Sequence, residues 1–265
     1  MRRSPLSSYH RLLQGVIMKV RPAPLADALK RLLGPPRMPM DTHLGRFSID
    51  PISLLGIALT GEEGYEPEMC STLQQFLEPG KIFVDLGANE GYFTVIGARL
   101  CAPGGRVVAI EPQKRLLAVI DENVKLNNSQ CVRVVNAAIS DHAGTATFHL
   151  TASTNSGGSS LQNPCKYGLP TQEVATLTLG ELLDREGLQY VDFMKVDIEG
   201  FEYEALLGSP EVFREHRIRS MALDLHPSLI EARGKSCDDI LRMLEECGYQ
   251  ITKPFGHWVW TAPAR

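Results

Sequence analysis

The chain lacks the features that would place it in several common classes. No run of about 18 apolar residues occurs, so no membrane-spanning helix is encoded. Its six cysteines (Cys70, Cys101, Cys131, Cys165, Cys237 and Cys247) are scattered and form no Cys-x-x-Cys pair. That excludes the usual spacing of a structural zinc site and favours free thiols in a reducing, cytoplasmic compartment. Aromatic residues are sparse at 7%. Internal repeats are absent, which excludes solenoids and propellers. What remains is an ordinary globular composition: 265 residues, 43% hydrophobic and 22% charged, with a mean hydropathy of -0.10. A disordered chain or a disulfide mini-protein does not have that composition.

Charge is distributed unevenly. Residues 1–46 carry nine basic side chains against two acids, Asp27 and Asp41, which makes this arm +7. The rest of the -4 chain is therefore at -11. An acidic main body is a poor phosphate-binding surface, so no nucleic-acid partner is expected. The arm is also rich in proline. Residues 1–50 read as a solvated, loosely packed extension and residues 51–265 as the main domain. Leu12 to Met18 is a short apolar stretch interrupted by Gln14, and Lys19 and Arg21 stand where a small-residue cleavage site would be, so an export signal is not expected.

Beyond residue 80 the chain alternates between strands and helices. Short apolar strands are predicted at Lys81–Leu86, Arg106–Ile110, Val132–Val135, Val191–Val196 and Met221–Leu225. Helices are predicted at Pro67–Leu77, Tyr92–Leu100, Gln113–Leu126, Gly180–Glu186, Phe201–Leu207 and Cys237–Cys247. Thr145 to Leu150 alternates like an exposed strand, and a last strand pair is predicted around Tyr249–Thr252 and Trp258–Trp260. Strands joined through helices imply right-handed crossovers and a mostly parallel α/β sheet covered on both faces. Residues 151–170 interrupt this rhythm with serine, threonine, asparagine and glycine. A stretch of that length without periodicity reads as a lid or binding loop, or as an insertion without a role.

Three segments carry the chemistry. Val84 to Tyr92 reads VDLGANEGY between a strand and a helix. Gly87 and Gly91 permit a tight turn and close approach of a ligand. The spacing is G-x-x-x-G, which is neither the dinucleotide-binding G-x-G-x-x-G nor a phosphate loop. Asp85 at the strand end favours a cationic ligand group. The next strand ends in Glu111, placed to accept hydrogen bonds from both hydroxyls of a ribose. An amine and a ribose in one ligand point to S-adenosylmethionine. The second segment, Phe193 to Glu202, brings Asp197 and Glu199 to the same sheet edge as a base, a sulfonium-facing pair or metal ligands, unless Glu199 and Glu202 only favour the helix that follows. The third segment, Asp224-Leu225-His226-Pro227, adds a histidine suited to general-base work near neutral pH.

These segments together resemble the FkbM-type methyltransferase family, within the class I S-adenosylmethionine-dependent enzymes. The resemblance runs from about Tyr65 to about Tyr249. It rests on Tyr65-Glu66-Pro67-Glu68, the segment Phe83 to Phe93, Glu111-Pro112, Asn136 to Asp141, Lys195 to Gly200 and His226-Pro227, in the family's order. It implies a Rossmann-like, seven-stranded, mostly parallel sheet with a reversed last strand pair. It implies that Asp85, Gly87, Asn89 and Gly91 line the methionine part of the cofactor, that Glu111 takes the ribose and that Ala138 and Ile139 lie against adenine. Glu66 and Asp197 would also reach the cofactor.

The expected reaction is O-methylation of a hydroxyl on a small natural-product or sugar-like substrate, with His226 as base and Asp197 or Glu199 orienting the nucleophile. A divalent ion on Asp197, Glu199 and Asp224 is a rival mechanism. Two other functions stay open: N-methylation of a protein or peptide held by the basic arm, and a catalytically silent cofactor-binding module. A homo-oligomer is compatible with the sequence.

Overall fold

The computed structural model describes residues 8–20, 23–34, 36–61, 64–162, 170–255 and 257–263. Arg2, Arg3, Arg21, Cys165 and residues 163–169 of the serine- and glycine-rich segment lie outside the described residues. In chain order come α1 (Ser8–Ile17), α2 (Ala23–Leu33), β1 (Met38–Thr42), β2 (Gly45–Ile49), α3 (Leu54–Thr60), α4 (Pro67–Phe76), β3 (Ile82–Leu86), α5 (Tyr92–Cys101), β4 (Arg106–Ile110), α6 (Lys114–Leu126) and β5 (Val132–Val135). Then follow β6 (Ala138–Ile139), β7 (Gly144–His149), a 3-10 turn at Ser153–Gly158, β8 (Thr171–Leu177), α7 (Leu179–Arg185), β9 (Phe193–Val196), α8 (Glu202–Leu207), α9 (Pro210–Arg214), β10 (Ser220–Leu223), α10 (Pro227–Glu231), α11 (Cys237–Glu246), β11 (Gln250–Phe255) and β12 (His257–Thr261).

The main sheet has seven strands in the order β11-β12-β10-β9-β3-β4-β5. Strands β5, β4, β3, β9 and β10 are parallel. Within the last pair the reversal is confined to β12, which runs antiparallel to β10 and to β11. This is the Rossmann-like architecture that alternating strands and helices demand. The central strands are buried on both faces, so side chains alternate between two cores. Val84, Leu86, Val108, Ile110, Met194 and Val196 face the core formed with α7, α8 and α11. Phe83, Val107 and Phe193 face the core formed with α4 and α5.

Register makes the site. Leu86 pairs with Ile110 on one side and with Val196 on the other, and Val196 pairs with Leu223. The residues that follow immediately are Gly87, Glu111, Asp197 and Asp224. Four strand ends therefore stop in line at the carboxyl edge, where open α/β sheets bind ligands.

Two regions depart from the sequence reading. The N-terminal arm is packed rather than loose. Leu13 and Ile17 of α1 are buried with Ile52, and the β1–β2 hairpin sends Met40, Phe47 and Ile49 into the α4–α5 core. Asn123 of α6 accepts the Ser48 N–H at 2.7 Å, and Asn127 accepts that of Arg46 at 2.9 Å, fixing the hairpin to α6. The boundary expected near residue 50 falls between β2 and α3, and buried residues continue across it. Arm charges are compensated locally: Lys30 pairs with Asp50 and Arg37 with the buried Glu90. The second departure is β8, which pairs with β6 and β7 in a separate three-stranded sheet beside the main one.

Candidate active site

The strand ends frame one cavity of about 300 Å³. Gly87, Asn89, Glu66, Glu111, Ala138, Ile139, Asp197, Glu199 and His226 all line it, as does Asp224. Asp85 and Gly91, the other two residues read from the sequence, are not in its wall. Asp85 is fully buried behind it, accepting a hydrogen bond from Thr94 Oγ1 at 2.6 Å. Burial pushes the Asp85 carboxyl upward, while Lys195 and Thr94 oppose the shift. Gly91 caps the start of α5 in the left-handed region and packs on Ile120.

The turn after β3 shapes the floor. Gly87 has φ +85°, and a Cβ there would sit 1.9 Å from the Asp197 carbonyl oxygen. The β3 and β9 ends approach that closely only because residue 87 is glycine. Two residues on, the Asn89 N–H donates to Glu111 Oε2 at 2.7 Å, and Gln113 N–H donates to Oε1 at 2.8 Å. Burial pushes the Glu111 carboxyl up to about 7, against the pull of those two N–H groups. Each oxygen of a carboxylate accepts more than one hydrogen bond, so Glu111 keeps acceptor capacity toward the cavity. Beside it, Ala138, Ile139 and Phe148 supply an apolar wall.

Lys195 is a site residue that the sequence reading passed over. It is buried in β9, and its ammonium donates to Asp197 Oδ2 at 3.0 Å and lies 5.3 Å from the Phe93 ring centre. Burial works against its charge, yet Asp197, Asp85 and Glu66 surround it with negative charge and keep it protonated. The signal was present: a lone lysine in an otherwise apolar strand, Phe193-Met194-Lys195-Val196, is rarely buried without paired acids.

His226 opens α10 at the far side of the cavity. Its Nδ1 is 2.9 Å from Glu202 Oε1, and its Nε2 is 3.5 Å from Glu199 Oε2 and 3.9 Å from Asp197 Oδ1. Glu202 is fully buried, and the same oxygen accepts the N–H groups of Ile198 and Gly200 at 3.2 and 3.1 Å. Glu202 therefore holds the imidazole as well as beginning α8, a role beyond the helix-dipole one expected of it. Burial opposes the imidazolium, but the Glu202 hydrogen bond and the charges of Glu202, Glu199 and Asp197 overcome it and raise His226 to about 9. Glu199 rises to about 7, chiefly through burial and against the pull of His226. Its backbone has φ +53°, a strained conformation for glutamate that costs on the order of 1–3 kcal/mol. Donor atoms of Asp197, Glu199 and His226 lie within 4.8 Å of one another. The convergent trio thus contains His226 in place of Asp224.

Residues 151–162 of the serine- and glycine-rich segment lie over the cavity. Asn155, Gly157, Ser159 and Leu161 line it. Ser156 Oγ donates to Asn89 Oδ1 at 2.7 Å, and Gln113 Nε2 donates to the Ser156 carbonyl at 3.0 Å. On its outer side, Asp27 of α2 accepts both the N–H and the hydroxyl of Ser153 at 2.7 Å.

With this geometry in place, the family follows from the sequence match: the methyltransferase FkbM domain matches residues 85–251. The chain belongs to that family. A relative of this FkbM chain, methyltransferase sdnD of Sordaria araneosa, is 28% identical over 213 residues, covering 69% of this chain and 78% of that protein. Among solved structures, methyltransferase FkbM from Methylobacillus flagellatus KT is similar at 16% identity and a TM-score of 0.45, over 72% of this chain. The present chain spans 50% of that protein. Aeropyrum pernix fibrillarin, in complex with natively bound S-adenosyl-L-methionine, is similar at 14% identity and a TM-score of 0.43, over 74% of each chain.

Proposed function

We propose that this FkbM domain methylates a hydroxyl of a small natural-product or sugar-like acceptor. One observation carries the reading: four consecutive strand ends in register put a buried acceptor carboxylate, a glycine turn and a carboxylate–histidine cluster around a single cavity.

The donor set fits S-adenosylmethionine. Glu111 has acceptor capacity for two ribose hydroxyls, the Ala138–Ile139 wall suits adenine, and Gly87 leaves backbone exposed where a side chain has no room. Asn89 and Gly87 would border its methionine end, and Glu66 and Asp197 would offer negative charge to its ammonium, all four lining the cavity. Asp85 acts from behind the wall, through Thr94 and its charge on Lys195. Gly91 acts by starting α5. When bound, the cofactor supplies an electrophilic methyl group.

The chain's own residues then have three tasks. The wall and the 151–162 segment align the acceptor and keep water out, and alignment alone is worth roughly 7–11 kcal/mol of barrier. His226 Nε2 takes the hydroxyl proton, which contributes on the order of 10²–10⁴-fold. Glu202 accepts from Nδ1–H and so keeps Nε2 as the proton acceptor, while Glu199 and Asp197 stabilise the imidazolium that forms.

The test is transfer of a labelled methyl group to a panel of hydroxylated small molecules, with the product position read by mass spectrometry. His226→Ala is expected to bind cofactor normally and to lose about 100-fold or more in turnover. Near-normal turnover would remove His226 as base. Labelling of protein nitrogen alone would replace the acceptor class.

A second reading is favoured by the convergence of Asp197, Glu199 and His226: a divalent cation held there would orient and acidify the hydroxyl. Full activity after thorough chelation removes that option. Loss of activity restored by magnesium or manganese would establish it in place of the base.

A further inference from the structure

Among the described residues, the first two helices present an exposed apolar face. They fold back on one another, with Tyr9 at the start of α1 donating its hydroxyl to the Leu33 carbonyl at the end of α2, at 2.8 Å. Their inner faces are used: Leu13 and Ile17 pack with Leu29 and Ile52. The outer faces carry Tyr9, Leu12 and Val16 on α1, one helical stripe, and Leu25, Leu32 and Leu33 on α2, another. Their exposure runs from 43% at Leu33 to 79% at Leu32. Six large apolar side chains on 21 helical residues are far more than scattered surface leucines account for.

Among the described residues, the exposed charge on these two helices and at their ends is basic. Arg11, Lys19 and Arg31 are exposed on the same two helices or at their ends, and no acid occurs before Asp27, which is committed to Ser153. An apolar stripe bordered by basic side chains is the composition of a helix that lies in a lipid interface. The rest of the chain, at -11, is repelled by an anionic surface, so this face is the one that would approach it.

The same helix pair also borders the cover of the cavity. Asp27 and Lys30 on α2 hold Ser153 of the segment that covers the cavity, with Lys30 Nζ 3.0 Å from the Ser153 carbonyl. Leu54, 47% exposed, lines the cavity itself, two residues beyond the Ile52 that packs under α1. We infer that α1 and α2 dock this protein peripherally on an anionic lipid surface, with the cavity cover held on the opposite side of α2, about one helix diameter from the lipid. No helix among the described residues is long and apolar enough to cross a membrane, so the association is with the surface. This claim is independent of the methyl-transfer chemistry, and its test uses none of it.

The experiment is co-sedimentation of the full chain with vesicles of phosphatidylcholine alone or with about one third phosphatidylglycerol. The wild type is expected to sediment with the anionic vesicles and to be released by salt. The pair Leu12→Glu and Leu32→Glu, and separately the triple Arg11→Ser, Lys19→Ser and Arg31→Ser, are each expected to weaken binding at least about 10-fold with an unchanged melting temperature. As a second readout that does not depend on those variants folding, Leu12→Trp emission is expected to shift to the blue and be quenched by brominated acyl chains. Failure of the wild type to bind anionic vesicles would overturn the inference, as would binding indifferent to either set. So would a wild-type dimer that Leu12→Glu and Leu32→Glu convert to monomer, which would give this face to a second copy of the chain.

Discussion

Gly87 is the residue with the least freedom. Its φ of +85° and the 1.9 Å approach of the Asp197 carbonyl leave no place for a methyl group. Gly87→Ala is expected to cost about 3 kcal/mol or more and to abolish cofactor binding, read by thermal unfolding and calorimetry. A stable variant with normal binding would contradict the packing described. At His226 the prediction concerns pH. A group raised to about 9 is protonated at neutral pH and is a base only once deprotonated, so kcat/KM should rise with pH through the range from about 7 to about 9 shared with Glu199. Glu202→Gln removes the charge that holds the proton, lowers the His226 pKa and moves that rise to lower pH. A structural role for Glu202 alone would leave the profile in place. Gly87, Glu111, Asp197 and His226 were legible in the sequence because each follows a strand end within a short motif. Lys195 left a signal that was passed over, a lone lysine in an apolar strand, whereas the hold of Glu202 on His226 comes from burial and packing, which the sequence does not print. Asp85 was read as a wall residue for the complementary reason: the strand-end pattern fixes where the backbone stops and not which carboxylate lies behind another.

At the scale of elements, the covering segment is held mainly by polar bonds, with Leu161 packed on Ala138, Phe148 and Val174. Ser156 holds it to Asn89 and Asp27 holds it to α2. Asp27→Ala is expected to leave the melting temperature within a few degrees of wild type, since two part-buried bonds are worth about 1–2 kcal/mol. Limited proteolysis should then cut residues 151–162 several-fold faster; an unchanged cleavage rate would show that α2 does not hold the segment. The parallel strands and their helices were readable because continuous apolar runs alternate with helical periodicity. Strand β8 was not, although Val174, Thr176 and Leu177 are buried, because its sequence, Thr171-Gln172-Glu173-Val174-Ala175-Thr176-Leu177, has too few apolar residues for a period-2 signal. The β1–β2 hairpin escaped for a similar reason: its anchors, Met40, Phe47 and Ile49, sit among prolines and basic residues that suggest a solvated arm.

The whole molecule is therefore a Rossmann-like sheet with an N-terminal layer that reaches into its core. Deleting residues 1–36 removes α1 and α2, keeps the Arg37–Glu90 pair and should leave a folded sheet. Deleting residues 1–50 also removes Met40, Phe47 and Ile49, at a cost of several kcal/mol, comparable to the whole stability of a domain. Soluble yield and calorimetric unfolding of the two truncations would distinguish a separable arm from an integral layer; equal stability of both would show that the hairpin is dispensable. The task proposed for the sheet edge, holding a ribose on Glu111, is open to one direct test. Titration calorimetry of S-adenosylhomocysteine is expected to show one site on the wild type, weakened about 10- to 100-fold by Glu111→Gln with the melting temperature retained. No measurable binding to the wild type, or equal binding to both, would contradict the account.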